Sequence, residues 1–145
     1  MERIFAGAKA GRKNIWFGVV LFLILGVVVG IPLTIDMFGG SLLTSDQYQA
    51  WKVVHAYGVF LAFINYFFGM CIDRLNLTGA QKEISSWSFL MAGVIGGFGR
   101  AVLLLLPALG KLGLAVSLVE TALFILGTFI VVLGQMKERP GRLPE

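Results

Sequence analysis

Residues 87–134 read WSFLMAGVIGGFGRAVLLLLPALGKLGLAVSLVETALFILGTFIVVLG. Two apolar runs, 87–109 and 113–134, flank the short turn Gly110-Lys111-Leu112-Gly113. Each approaches the ~20 residues a helix needs to cross ~30 Å of hydrocarbon. A turn this short forces the two helices to be antiparallel neighbours. Two further runs, 15–35 and 53–72, precede them. With 57% of its 145 residues hydrophobic and 14% charged, and a mean hydropathy of +0.86, the chain does not have the composition of a soluble domain. The expected fold is all-α, an integral membrane four-helix bundle in which residues 1–145 form a single transmembrane domain.

Arg12 and Lys13 before the first run suggest a signal peptide, but the run is too long and no small-residue cleavage pattern follows it. It reads as a retained span. Cys71 is the single cysteine, so a disulfide within one chain and a cysteine-based metal cluster built from one chain are both excluded. Arg3, Lys9, Arg12 and Lys13 precede the first span, Arg74 and Lys82 occupy the second loop, and Lys137, Arg139 and Arg142 follow the fourth span. Lys52 and Lys111 fall on the other side. The positive-inside rule therefore predicts both termini cytoplasmic. Anionic lipid headgroups account for the net charge of +4 without a nucleic-acid partner.

Gly39-Gly40 marks a turn in the outer loop 36–52, and Tyr48 and Trp51 suit the headgroup region. Small residues recur at helix-packing spacing in Gly26–Gly30, Gly58 with Ala62, and Gly93 with Gly97. Such spacing lets backbones approach in lipid, within a protomer or between protomers.

Three ionisable residues, His55, Arg100 and Glu120, interrupt the apolar runs. Charge inside a membrane is costly and by default marks function. Arg100 lies about ten residues before the third turn and Glu120 about as many after it. At ~1.5 Å per residue they reach comparable depth, so a cross-helix pair is sterically reasonable. His55 starts the second span from the same outer side, and Tyr57 and Ser117 fall in that half, with Asn65 nearer the midplane. If the helices turn these groups inward, they line one polar pocket opening outward.

Each residue has a plainer reading beside the functional one. His55 suits a hydrogen bond at the headgroup boundary as well as ligation. Arg100–Glu120 suits a scaffold as well as a site, Asn65 an interhelical hydrogen bond, and Tyr57 and Trp51 interfacial anchors. The sequence carries no Walker loop, dinucleotide fingerprint, H-E-x-x-H or nucleophile elbow. One histidine per chain excludes bis-histidine haem and multi-histidine zinc within a protomer, but it suffices for one axial face of a haem.

The segment Trp51-Lys52-Val53-Val54-His55-Ala56-Tyr57-Gly58, at the start of the second of four spans, resembles the styrene oxide isomerase and hydroxylaminobenzene mutase group of small membrane enzymes. His55 matches the axial histidine, Trp51 an aromatic of the isomerase branch and Gly58 a glycine of the mutase branch. Leu61 stands where the family favours asparagine, with Asn65 one turn further on. Gly97-Phe98-Gly99-Arg100 replaces aromatic and asparagine residues in the third span. For the isomerases the resemblance implies an oligomer binding haem b, with the histidine as axial ligand and ferric iron coordinating an epoxide oxygen during isomerisation to an aldehyde.

Two functional readings stand open at this point. In the first, the chain is a haem b-dependent isomerase or mutase acting on a small apolar substrate that enters from lipid. His55 then holds the metal, Arg100 meets a haem propionate or Glu120, and Glu120, Asn65 and Tyr57 are the candidate catalytic groups. In the second, it is a non-catalytic subunit packed in a larger membrane complex. A transporter ranks third, since no broken-helix pattern is evident. A homo-oligomer, compatible with a trimer, in a bacterial cytoplasmic (inner) membrane is expected.

Overall fold

The computed structural model describes residues 10–136. They form four long helices: α1 (Arg12–Met37), α2 (Ser45–Ile72), α3 (Gly79–Leu105) and α4 (Gly113–Met136). A 3₁₀ turn, Pro107–Leu112, joins the last two. The four helical segments are long and apolar enough to cross a membrane.

Helices α2 and α3 begin well before the apolar runs predict, and for the same reason. The Thr44 hydroxyl accepts from the Gln47 N–H at 3.4 Å while the Gln47 amide oxygen accepts from the Thr44 N–H at 2.9 Å. Thr78 and Gln81 repeat the arrangement at 3.3 and 2.9 Å. Each is a reciprocal capping box, and it starts the helix in polar sequence ahead of the apolar stretch. The loop between α1 and α2 accordingly shrinks from the expected 36–52 to residues 38–44. At the far end of α3 the helix stops at Leu105, short of the expected 109, because proline disfavours helical backbone in the residue before it. Leu106 leaves the helical region, with φ −123° and ψ 83°.

The Gly39-Gly40 turn closes α1. Gly40 N–H donates to Ile35 O at 2.9 Å and Gly39 N–H to Asp36 O at 3.3 Å. Gly39 takes φ +95°, the left-handed conformation this helix stop requires. The Asp36 carboxylate then accepts from Leu42 N–H at 2.7 Å and Leu43 N–H at 3.1 Å, folding the loop back over the helix end.

The helices pack as two hairpins, α1 with α2 and α3 with α4, joined mainly where α3 meets α2. One stripe of α2 points inward, comprising Val54, Gly58, Leu61, Ala62, Asn65, Gly69 and Ile72. Leu21, Leu25, Val54, Leu61, Ala62 and Ala101 form the apolar core, flanked by Phe17, Tyr57, Phe98 and Phe124. A Cβ on Gly58 would overlap the Leu25 side chain, and one on Gly93 would overlap Asn65 and Phe17. These small residues therefore work within the protomer, where they allow close backbone approach. Helix α4 packs chiefly on α3 and exposes Leu114, Leu118, Ile125 and Phe129, an apolar face suited to lipid.

Arg12, Lys13, Arg74 and Lys82 gather at one end of the bundle and Lys52 and Lys111 at the other, as the helix order requires. Arg3, Lys9, Lys137, Arg139 and Arg142, which complete the charge asymmetry, lie outside the described residues.

Candidate functional site

Arg100 on α3 and Glu120 on α4 form an ion pair, Nη2 to Oε2 at 2.8 Å. The same Nη2 reaches Ser117 Oγ at 3.3 Å. Tyr57 on α2 donates its hydroxyl proton to Glu120 Oε1 in a short hydrogen bond, and its ring lies 4.3 Å beneath the guanidinium carbon. Both carboxylate oxygens are thus engaged, one by charge and one by a phenol. This is the condition under which a buried carboxylate is tolerated in a low-dielectric interior. Stacking on the tyrosine face adds a cation–π contact.

The seat for this carboxylate is a gap in α3. A Cβ at Gly96 would collide with both Glu120 oxygens, so only glycine admits the group. Gly96 lies in a π-helical stretch, Val94–Gly99, that ends at Arg100. Such local widening is common at functional positions.

His55 stands apart from this cluster. Two residues along a helix rotate a side chain by about 200°, so His55 faces α1 while Tyr57 faces α3 and α4. His55 Nδ1 lies 3.2 Å from the carbonyl oxygen of Leu25. Leu25 lies in a second π-helical stretch, Phe22–Val28, in which the Val29 N–H bonds to Ile24 O and Gly26 O rather than to Leu25 O. The imidazole offers this carbonyl a side-chain donor within the span. Because a carbonyl only accepts, this bond puts a proton on Nδ1, and in the neutral ring that tautomer places the lone pair on Nε2.

The ring lies over Gly30, where a Cβ would come within 3.0 Å of Cε1 and 3.2 Å of Nδ1. His55 lines a groove of about 570 Å³ between α1 and α2, toward the ends joined by the 38–44 loop, together with Gly26, Gly30, Ile31, Thr34 and Lys52. Its volume falls in the range of small-ligand and cofactor sites.

Asn65 belongs to a third polar set, nearer the other end of the bundle. Its Oδ1 accepts from Asn14 Nδ2 at 3.1 Å and its Nδ2 donates to Leu61 O at 3.1 Å. Asn14 Nδ2 also donates to Ser86 O at 2.9 Å, and the Ser86 hydroxyl directs its one proton between two acceptors, Asn14 Oδ1 and Ala10 O. Asn14, Asn65 and Ser86 are fully buried. They tie α1, α2 and α3 together as an interhelical hydrogen-bond network.

The structure therefore divides what the sequence offered as one polar pocket. Arg100, Glu120, Tyr57 and Ser117 come together, His55 faces a separate groove, and Asn65 joins neither. The sequence reading overlooked Asn14, Ser86 and both π-helical stretches. Asn14 carried a usable signal, an amide just inside the first span. The π register leaves none, since it follows from packing rather than composition.

The donor set fits haem better than a bare metal ion. Among the described residues no group of three histidine, cysteine, aspartate or glutamate side chains is placed to hold a metal. A porphyrin brings four nitrogen ligands of its own and asks the protein for one axial ligand. An imidazole fixed through Nδ1 to a backbone carbonyl, with Nε2 free, is the common arrangement of a metal-ligating histidine. The Gly30 cradle leaves room for its ring.

A family model described as styrene oxide isomerase matches residues 10–136 of the chain. No curated protein and no solved structure gives a match.

Proposed function

The chain belongs to the styrene oxide isomerase family, and from that premise we propose that it is a membrane-embedded isomerase for a small apolar substrate such as an epoxide, with haem b held through His55. The observation that carries this reading is the His55 imidazole, oriented by Leu25 O at 3.2 Å and presented to the groove between α1 and α2. When bound, the haem would supply Lewis-acid chemistry, polarising an oxygen ligand without net redox change.

Isomerisation of an epoxide to an aldehyde conserves every atom. One C–O bond breaks, a hydrogen migrates with its electron pair to the adjacent carbon, and a C=O bond forms. No water, oxidant or external proton enters the balance, so the protein's task is to hold the substrate and keep water out. Val27, Ile31, Ile35 and Met37 supply apolar wall for this purpose, and a groove open toward lipid suits an apolar substrate. The Tyr57–Glu120–Arg100 cluster acts by positioning: it locks the rotation of α2 from one side and so keeps His55 turned toward α1 on the other. Asn65 serves the same frame lower in the bundle.

We place the protein in a bacterial cytoplasmic membrane with both ends inside, as a homo-oligomer compatible with a trimer. The charge asymmetry supports the orientation. The test is the colour of the protein purified in detergent after expression with haem supplied. A Soret band in the wild type, lost or shifted in His55→Ala, together with conversion of an aryl epoxide to its aldehyde, is the expected result. A colourless, well-folded wild type overturns the reading.

A further inference from the structure

We infer that Lys52, assisted by Tyr48, binds a carboxylate of the haem at the mouth of the His55 groove, the role that Arg100 offers on sequence alone. The inference rests on the haem reading above. Tyr48, Lys52 and His55 follow one another at four and three residues along α2, which sets them on one helix face, and all three line the groove.

Haem b carries two carboxylates on one edge. An anion brought into a bilayer needs either a counter-charge or contact with water. Lys52 provides the first and stands where the second is available. It is exposed, one turn from His55 toward the loop end, and next to the interfacial Trp51. Among the described residues lining the groove it is the charged one.

The other ionisable groups are turned elsewhere. Arg100 is engaged by Glu120 at 2.8 Å and stacked on Tyr57, across α2 from His55. The Asp36 carboxylate is occupied by the Leu42 and Leu43 N–H groups. Asp46 stands nine residues before His55, two and a half turns at about 3.6 residues per turn, and so on the opposite side of α2. A lysine ammonium acts as a point charge that tracks a carboxylate through several positions, and the Tyr48 hydroxyl offers a second donor. Histidine would then fix the metal and lysine the edge, leaving one orientation of the ring.

The test compares haem b with its dimethyl ester, which lacks both charges, by Soret titration of the full-length apoprotein in detergent. The wild type is expected to bind haem b about tenfold more tightly than the ester, the scale of one charge-assisted contact. Lys52→Gln is expected to bind both with the affinity the wild type shows for the ester, at an unchanged Soret maximum because His55 is intact. Tyr48→Phe is expected to narrow the preference about threefold, and added salt to narrow it in the wild type. A Lys52→Gln protein that still prefers haem b tenfold, or a wild type indifferent to esterification, overturns the assignment of Lys52 while leaving the haem reading standing. No Soret band from either compound in the wild type overturns both.

Discussion

Arg100 and Glu120 meet at 2.8 Å, yet they are buried unequally: the carboxylate side chain is 3% exposed and the guanidinium side chain 30%. The anion is the member that depends on the pair. Its second oxygen takes the Tyr57 hydroxyl, so three helices converge on one carboxylate. Helix α4, which packs chiefly on α3, gains through Glu120 a direct tie to α2.

That inequality predicts asymmetric mutational costs. Arg100→Leu leaves Glu120 buried without its counter-charge and is expected to destabilise the protein by about 3–5 kcal/mol. Glu120→Leu leaves a guanidinium still stacked on Tyr57 and within reach of Ser117, and is expected to cost less. The double variant should cost less than the sum of the two, because no unpaired charge remains. Unfolding in detergent, followed by circular dichroism against denaturant or temperature, measures all three. Equal losses that add would refute the pairing.

Gly96→Ala tests the seat rather than the charge. Its Cβ would occupy the space of both Glu120 oxygens, so the carboxylate must leave its partners. The expected loss is about 1–3 kcal/mol, as for overpacking of a filled site. In a Glu120→Ala background the same substitution should be close to neutral. Gly99→Ala is the control, since its Cβ would make ordinary contact with Val116 at 3.6 Å.

Much of this arrangement was legible in the sequence. Four apolar runs gave the bundle, and counting residues from the third turn placed Arg100 and Glu120 at one depth. Rotation about the helix axes was not legible. Depth depends on residue count, which a sequence states, whereas rotation depends on packing. His55 and Tyr57 lie two residues apart and would share a pocket if both turned inward, yet the inward stripe of Val54, Gly58, Leu61 and Asn65 turns them to different neighbours. The early starts of α2 and α3 were readable in Thr44-x-x-Gln47 and Thr78-x-x-Gln81, but hydropathy outweighed the capping signal. Proline 107 similarly announced the end of α3.

The Asn14–Asn65–Ser86 network predicts a loss of stability separable from any loss at His55. Asn65→Ala leaves the Asn14 amide short of an acceptor and is expected to cost about 1–3 kcal/mol, the penalty for stranding a buried polar group. Unfolding in detergent measures it. Haem uptake per folded protein, read from the Soret band, should match the wild type. A large drop in uptake by a folded Asn65→Ala protein would assign Asn65 to the site instead of the frame.

Gly30 separates the orientation of His55 from its presence. A methyl group there would stand 3.0 Å from Cε1 and 3.2 Å from Nδ1 of the imidazole, tighter than ordinary van der Waals contact, so the ring must shift away from α1. Any such shift lengthens the 3.2 Å bond to Leu25 O, which fixes the Nδ1 proton and leaves Nε2 as the atom that would ligate a haem iron. Outer-shell partners of this kind typically contribute 10–100-fold in metal affinity. Gly30→Ala is therefore expected to weaken haem binding about tenfold and to move the Soret maximum, with His55 still present and the fold retained. Gly30→Val should do so more strongly, since a branched side chain crowds the ring on two sides. Titration of each variant with haem, read beside its circular dichroism, distinguishes a displaced ligand from a collapsed bundle. A Gly30→Ala protein that binds haem as the wild type does would show that the imidazole needs neither the cradle nor the carbonyl to bind.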